Sequence, residues 1–587
     1  MKNHLKLIQL LILPAIILTI SSCTIGQGGD EKIVDVYDLD VMGETKNSGH
    51  VGEVKALFRS DQYYVPYLSL DQYAELYEPH FASKVSSSVS KFKDLITWTV
   101  TLNNQLYFIS QIDTANKTVL YGGSLEAVLK QGDNPIDTAA LTYAAVTDYD
   151  GMFLENDPYA VFSYADIELD TITSFGNVYF PLGFLDVTYS SISSVYFYYN
   201  YAGIYSTHNV DNYFLKTFDV GGQTLTVNKE MAKNKKTETM PDYLKKYNAN
   251  MFMYLLDNFY GLKDYKNINK AKEYCETIGT YNKLFSDNDA ERAQAYADTL
   301  SKLDDNHTAL VAANETWGEQ SFDPRQYGDG CKSRSQLRTT LSNYRTNSMD
   351  HTYYAQNNEP VFSSDGETAM FLFDSFIFGT SEQVFNADGS IKEGAEMYDS
   401  FISISKMFQG LVKKGGVKNV ILDMATNGGG VLGVLMKLLA LISRDNISEL
   451  FYLEASTQQV GIASTRVDTN LDGKYDKNDC YGDDFNIYLL TSDCSFSCGN
   501  AFPFLAKRKG TAKIIGEKSG GGECSVGTHY LPNGEYVYHS SPLHIGYFNQ
   551  NTNEFFGSES GAKPDISIQD YNDYFNIDRL ASYISAN

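Results

Sequence analysis

"FNIYLLTSDCSFSCGNAFPFLAKRKGTAKIIGE", residues 485–517, is the stretch that decides how the C-terminal part of this chain folds. Its apolar start, Phe485 to Leu490, reads as a buried strand bounded by turn residues. The turn Cys494-Ser495-Phe496-Ser497-Cys498-Gly499 leads into a helix, and "TAKIIGE" is a second strand that ends in Gly. A Ser on a sharp strand-to-helix turn is exposed, with helix N-terminal N–H groups beside it. That is the mechanical logic of a nucleophile elbow, although the GxSxG spacing is absent. The competing reading is structural: a Ser that caps the helix, and cysteines that staple the loop.

A second strand–turn–helix unit precedes it, "NVILDMATNGGGVLGVLMKLLALI", residues 419–442. Three glycines let backbone N–H groups approach a ligand closely and permit positive φ. At a helix N-terminus such groups stabilise negative charge, as a phosphate cradle or an oxyanion hole. Neither GxxxxGK[ST] nor GxGxxG is present, and by itself the triple glycine is also simply a tight turn.

The chain has 587 residues, enough for several domains. A formal charge of -26 argues against a nucleic-acid partner, because nothing offsets phosphate repulsion. Tyr (44 residues) and Phe (33) suit β-rich surfaces or aromatic binding faces. Lys2 and Lys6 precede the apolar run "LIQLLILPAIILTI", which is too short for an ordinary membrane span. Ile20-Ser21-Ser22-Cys23 follows and resembles the lipobox of bacterial lipoproteins. That resemblance implies a signal peptide over 1–22, lipidation of Cys23, and an exported protein anchored at the bacterial cell envelope. Residues 23–50 are expected to be a tether, flexible around "TIGQGGDEK". The six remaining cysteines are an even number in a disulfide-permissive compartment. At least one disulfide is therefore expected among Cys480, Cys494, Cys498 and Cys524. Paired CxxC elements and interleaved His are missing, which disfavours zinc.

The expected fold class is α/β (α+β) and multidomain. Residues 51–235, with strands such as "NQLYFISQ" and "SVYFYYN", form a β-rich accessory domain. Within it, "YYVPYLSLDQY" (63–73) echoes "VYFPLGFLDV" (178–187), and both are similar to short segments of amine-oxidase-type N-terminal modules. Residues 241–310 are helical, with "PDYLKKYNANMFMYLLDNFYGL" and "DNDAERAQAYADTLSKL" as two helices. Residues 311–366 read as an irregular connection, and 367–587 as the β/α core.

Taken together, these segments resemble the C-terminal processing and tricorn-core family of serine peptidases. The carriers are "VILDMATNGGG", "TSDCSFSCGNAFPFLAKRKGTAKIIGEKSGGG", "LSKLDDNHTAL" and "GAKPDISI", in the family's order over roughly 241–587. The resemblance implies a ββα crotonase-like peptidase core acting on proteins or peptides, with no cofactor for catalysis. It places the nucleophile on Ser497 rather than Ser495, and an oxyanion hole on Cys498 with Gly428 or Gly429. The lysine of the processing branch falls on Gly522, with Lys518 out of register. The tricorn-like branch instead implies His307 as general base and Glu559 as its acidic partner. His529, His539 and His544 are rival cleft residues. Ala425 stands where the family often has Arg, and no PDZ-like insert is evident. Two other function classes remain: a catalytically silent peptide- or small-ligand-binding lipoprotein on this fold, and an adhesion or glycan-binding lipoprotein.

Between the two units lies "DTNLDGKYDKND", 468–479. Asp468, Asn470, Asp472, Lys474, Asp476 and Asp479 occupy positions 1, 3, 5, 7, 9 and 12 of a calcium loop, with Gly473 at position 6. One structural Ca2+ ion is expected there. Calorimetric titration with calcium should give heat in the wild type and none in Asp468→Ala; a silent wild type contradicts the assignment.

Overall fold

The computed structural model describes residues 34–43, 50–125, 128–129, 143–153, 159–174, 176–193, 195–207, 215–220, 223–228, 236, 238–312, 317, 328–348 and 359–587. The signal segment 1–22, Cys23 and most of the tether lie outside them. Among the described residues no helix is long and apolar enough to cross a membrane. The chain divides into two compact units.

The first unit comprises Met1–Gln131, Ala160–His208 and Pro241–Asn250. It holds a seven-stranded and a five-stranded sheet. Val34–Gly43 is a strand paired with His50–Arg59 and Ile204–Thr207, so the expected 23–50 tether is ordered at its C-terminal end. Its alternation explains this, since Leu39 and Val41 are buried while Asp38 and Asp40 are exposed. The two echoing segments are equivalent strand–helix units. Gln62–Ser69 leads into helix Leu70–Tyr77, and Asn177–Pro181 into helix Leu182–Ser190. The two strands lie side by side, antiparallel, with Phe180 opposite Leu68. Much of the aromatic content is core: Trp98 is buried against the rings of Tyr73, Tyr77, Phe108 and Tyr189.

The second unit comprises Gly132–Tyr159, Asn209–Met240 and Met251–Asn587. The expected 51–235 boundary therefore shifts. Strand Ala145–Phe153 pairs antiparallel with Gln459–Val467, and the hydroxyls of Thr147 and Thr465 bond across the pair at 2.8 Å. The heart of the unit is a six-stranded sheet in chain order: β1 (Val361–Phe362), β2 (Thr368–Leu372), β3 (Asn419–Asp423), β4 (Asn486–Thr491), β5 (Lys513–Gly516) and β6 (Ile566–Ser567). β2 to β6 are parallel. Parallel strands need crossover connections, and helices supply them.

Helix α1 (Asp289–Ser301) packs against the strand Ala309–Ala312, and four helices bear on the six-stranded sheet: α2 (Asp329–Ser348), α3 (Ser400–Lys414), α4 (Leu432–Leu441) and α5 (Cys498–Lys509). Alternate strand residues feed two cores. Val420, Leu422, Leu489 and Ile514 pack with α3, α4 and α5 on one face. Ile421, Tyr488, Leu490 and Ile515 pack on the other with Leu341 of α2 and with Leu580 and Ile584 near the C-terminus. Burial on both faces explains why these strands read as continuous apolar runs. A second sheet carries the long strand Tyr536–Asn549, which pairs with Ala309–Ala312 just after His307.

Two expectations need correction. The "irregular" 311–366 contains α2, a helix of 20 residues. The expected disulfide is absent, because Cys275, Cys331, Cys480, Cys494, Cys498 and Cys524 are all unpaired and buried. Cys494 packs in the core on one face of the sheet and Cys498 in the core on the other. Their thiols donate to Arg334 O and Gly430 O, and the Cys480 thiol to Lys477 O.

Asp423, at the end of β3, is fully buried and receives Arg345 Nε of α2 at 2.9 Å. A guanidinium thus reaches this strand end from α2, although Ala425 replaces the family's arginine. Arg345 also contacts the more exposed Asp374 at 3.3 Å. Asp423→Ala therefore removes its buried partner but not its last one, and urea titration should show a loss of about 3 kcal/mol, the low end for a broken buried pair. A loss below about 1 kcal/mol would mean that the pair behaves as a surface contact.

Candidate active site

The two sequence turns meet at the carboxyl ends of β3 and β4, where ligands bind in open α/β sheets. Four side chains hold the turns in place. Ser495 is buried; its Oγ donates to Met424 O at 2.8 Å and accepts Ser492 N–H. Ser492 Oγ donates to Ala425 O. Asn427 Nδ2 donates to Phe373 O, its Oδ1 accepts Gly429 N–H, and its carbonyl accepts Phe496 N–H at 3.0 Å. Thr426 Oγ1 donates to the Asp374 carboxylate. Ser495 is therefore a latch between the turns.

Ser497 is different. It is half-buried, and its backbone sits at φ 57°, ψ −126°, where a non-Gly residue is strained. It precedes the first turn of α5 without capping it through its side chain. Among the described residues its Oγ makes no hydrogen bond. Gly429, at φ 103°, lies so close that a Cβ there would meet Ser497 Cβ at 2.7 Å. Cys498 N would lie 3.0 Å from that same Cβ. Cys498 N–H is the first of α5 and has no helical partner. Gly429 N–H, by contrast, is committed to Asn427, so of the two expected glycines only Gly428 keeps an N–H without a partner among the described residues. Burial pushes the Cys498 thiol up to about 12, so it stays protonated beside the serine.

The "LDDNHT" segment follows α1. Asp304 accepts the N–H groups of Gly330 and Cys331 and so anchors the start of α2. Asp305 is buried and accepts His307 N–H, Thr308 Oγ1, Tyr260 OH and Ser540 Oγ. His307 is buried, and its ring meets Phe496 edge-on with centroids 4.9 Å apart. Burial lowers its pKa, opposed by Asp305 and by the nearby Cys524 carbonyl. Among the described residues its Nδ1 has no hydrogen-bond partner, and no bond joins the ring to Ser497. His307 and the serine turn are brought together, but without a formed dyad.

Glu559 is not on the imidazole. Its Oε2 accepts the N–H groups of Gly522 and Glu523 at 2.9 and 3.0 Å. Those residues belong to the loop whose Gly521 carbonyl receives Ser497 N–H. Glu559 is thus a loop-positioning group, a correction to its expected role. At Gly522 a side chain would meet the Phe496 ring at 2.5 Å, so the lysine of a Ser/Lys dyad has no room, and Lys518 is exposed. The other histidines lie elsewhere. His529 and His539 stack on each other, buried. His544 Nδ1 contacts Glu523 Oε1 at 2.7 Å and its Nε2 lies 3.8 Å from Cys524 Sγ.

In the acidic loop, Asp468 and Asp479 turn inward and accept loop N–H groups. Among the described residues no group of three or more His, Cys, Asp or Glu side chains gathers to hold a metal ion.

A strained serine at the mouth of a parallel α/β sheet, with helix N–H groups beside it, has the arrangement of a serine-hydrolase site. Residues 395–568 match the family model described as peptidase family S41. This stretch of the chain is a peptidase family S41 domain, and it marks the protein as a serine peptidase. Ser497, Cys498, Gly428, Gly429 and Glu559 lie inside the matched stretch; His307 lies outside it. No curated protein matches the sequence. Among solved structures, a candidate peptidase from Parabacteroides merdae ATCC 43184 is 16% identical over 58% of this chain and 96% of its own, with a TM-score of 0.41. A lipoprotein from Streptococcus agalactiae is 13% identical over 60% and 99%, at 0.33. Mature CPAF is 11% identical over 59% and 97%, at 0.37.

Burial pushes the Glu559 carboxyl up to about 7, from 4.5. Folded protein then keeps a proton that the unfolded chain releases, so this group's contribution to stability falls as pH rises from about 4.5 to 7. Thermal melts should show Glu559→Gln gaining on the wild type between pH 5 and pH 8. Parallel profiles contradict this.

Proposed function

We propose that the protein is an exported, lipid-anchored serine endopeptidase in which Ser497 is acylated and His307 is the general base. The observation that carries this reading is the strained Ser497 backbone, packed on Gly429 at the start of α5. Strain of about 1–3 kcal/mol persists only where the surroundings over-determine it, and it concentrates at functional sites.

In this reading His307 takes the Ser497 proton as Oγ attacks the scissile carbonyl. The oxyanion is stabilised by the N–H groups of Cys498 and Gly428. His307 then protonates the leaving amine, and water resolves the acyl-enzyme by the reverse roles. A lowered His307 pKa suits this task, because the ring is neutral at neutral pH. The missing Ser–His bond is compatible with an apo site, where such bonds tighten on substrate binding. The unpaired Nδ1 equally favours the second reading, a catalytically silent ligand-binding lipoprotein. Anchoring at Cys23 is supported by the N-terminal sequence, and calcium in 468–479 by ligand spacing and the inward Asp468 and Asp479.

With purified protein, a fluorophosphonate probe and an unfolded protein substrate, labelling and cleavage should vanish in Ser497→Ala. His307→Ala should lower both by about 10²–10⁴-fold. The acid limb of kcat/KM should lie below the ordinary imidazole value of about 6.5. Ser495→Ala should destabilise the turn yet still label. No labelling in any well-folded protein favours the silent reading.

A further inference from the structure

A cavity of about 370 Å3 opens beside this site, lined among others by Asn306, His307, Arg334, Arg338, Gly428 and Phe496. Among the described residues two cations line it and no carboxylate does, in a chain whose formal charge is -26. Both cations come from α2. Arg334, Arg338, Leu341 and Arg345 are spaced by four, three and four residues and so share one helix face.

That face is fixed at three points. Asp304 holds its first turn, Leu341 is fully buried in the core, and Arg345 is paired with Asp423. The other two arginines of the face are thereby directed at the catalytic turns. Arg334 lies over the Phe496 ring at 5.4 Å and pairs with Asp493 at 3.0 Å. Arg338 is unpaired among the described residues. Its guanidinium nitrogen lies 2.5 Å from the position that a Cβ on Gly428 would take, beside the proposed oxyanion donor. A planar guanidinium recognises carboxylates through two parallel hydrogen bonds.

Resting on the Ser497 reading, we infer that this cavity selects peptides carrying a carboxylate next to the scissile bond, with Arg338 as its principal ligand and Arg334 beside it. The carboxylate is either an Asp or Glu side chain or the free C-terminus of the substrate. Both sources present the same group to the same guanidinium.

The test uses the full chain and quenched peptides in matched pairs: Asp or Glu against Asn or Gln, and free against amidated C-termini. The wild type should favour the carboxylate peptides in kcat/KM by about 30-fold or more. Arg338→Gln should erase the ratio, and Arg338→Glu should shift it toward Lys-bearing peptides. Lys332→Ala, an exposed position on the same helix, should keep it. A preference that follows Asp/Glu identifies the side chain as source; one that follows amidation identifies the C-terminus. A labelled, active wild type without the preference, or one whose preference survives Arg338→Gln, overturns the inference. Calorimetry of acidic product peptides on Ser497→Ala separates the two claims. Arg338-dependent binding in a protein whose wild type never labels sustains the carboxylate site while the Ser497 reading falls.

Discussion

Two loops grip the backbone at Phe496 and Ser497, and the site depends on that grip. Phe496 N–H donates to Asn427 O, and Ser497 N–H donates to Gly521 O. With the N–H groups of Phe496 and Ser497 both fixed, Ser497 is held at φ 57° and its side chain does not cap the helix it starts. Gly429 makes the close approach possible, since any Cβ there would collide with the serine. The strain is sustained because both loops leave parallel strands buried on two faces.

The adjacent carboxylates Asp304 and Asp305 organise the other half of the cleft. Asp304 starts the arginine helix, while Asp305 ties His307 to the second sheet through Thr308 and Ser540. Neighbouring residues in one short turn thus deliver the imidazole and the guanidinium groups to one cavity. Burial keeps the imidazole neutral, and the buried Arg345–Asp423 pair keeps α2 in register. Glu559 acts one step further away, on the loop that accepts the Ser497 N–H.

Much of the β/α core was legible because its strands are apolar on both faces and its turns are glycine-rich. The family resemblance singled out Ser497 over Ser495, and their environments differ: one is strained and, among the described residues, without a hydrogen bond at Oγ, the other locked to Met424 O. Other features were hidden for physical reasons. The polar sequence of α2 has only Leu337, Leu341 and Tyr344 as an apolar stripe, and its arginines carry the remaining contacts. Strand 145–153 finds its partner more than three hundred residues away, beyond any local pattern. An even cysteine count suggested a disulfide, but Cys494 and Cys498 serve separate cores. Glu559 stands one residue short of the family's usual spacing before Pro564, and its partners in space are backbone N–H groups of a neighbouring loop.

Catalysis in this protein stands or falls on Ser497, and no other group, being the nucleophile. The most direct test is to react the intact protein with a fluorophosphonate and locate the adduct by tandem mass spectrometry. The expected result is a single adduct on Ser497. An adduct on Ser495 or on another residue, or none on folded protein, would contradict it.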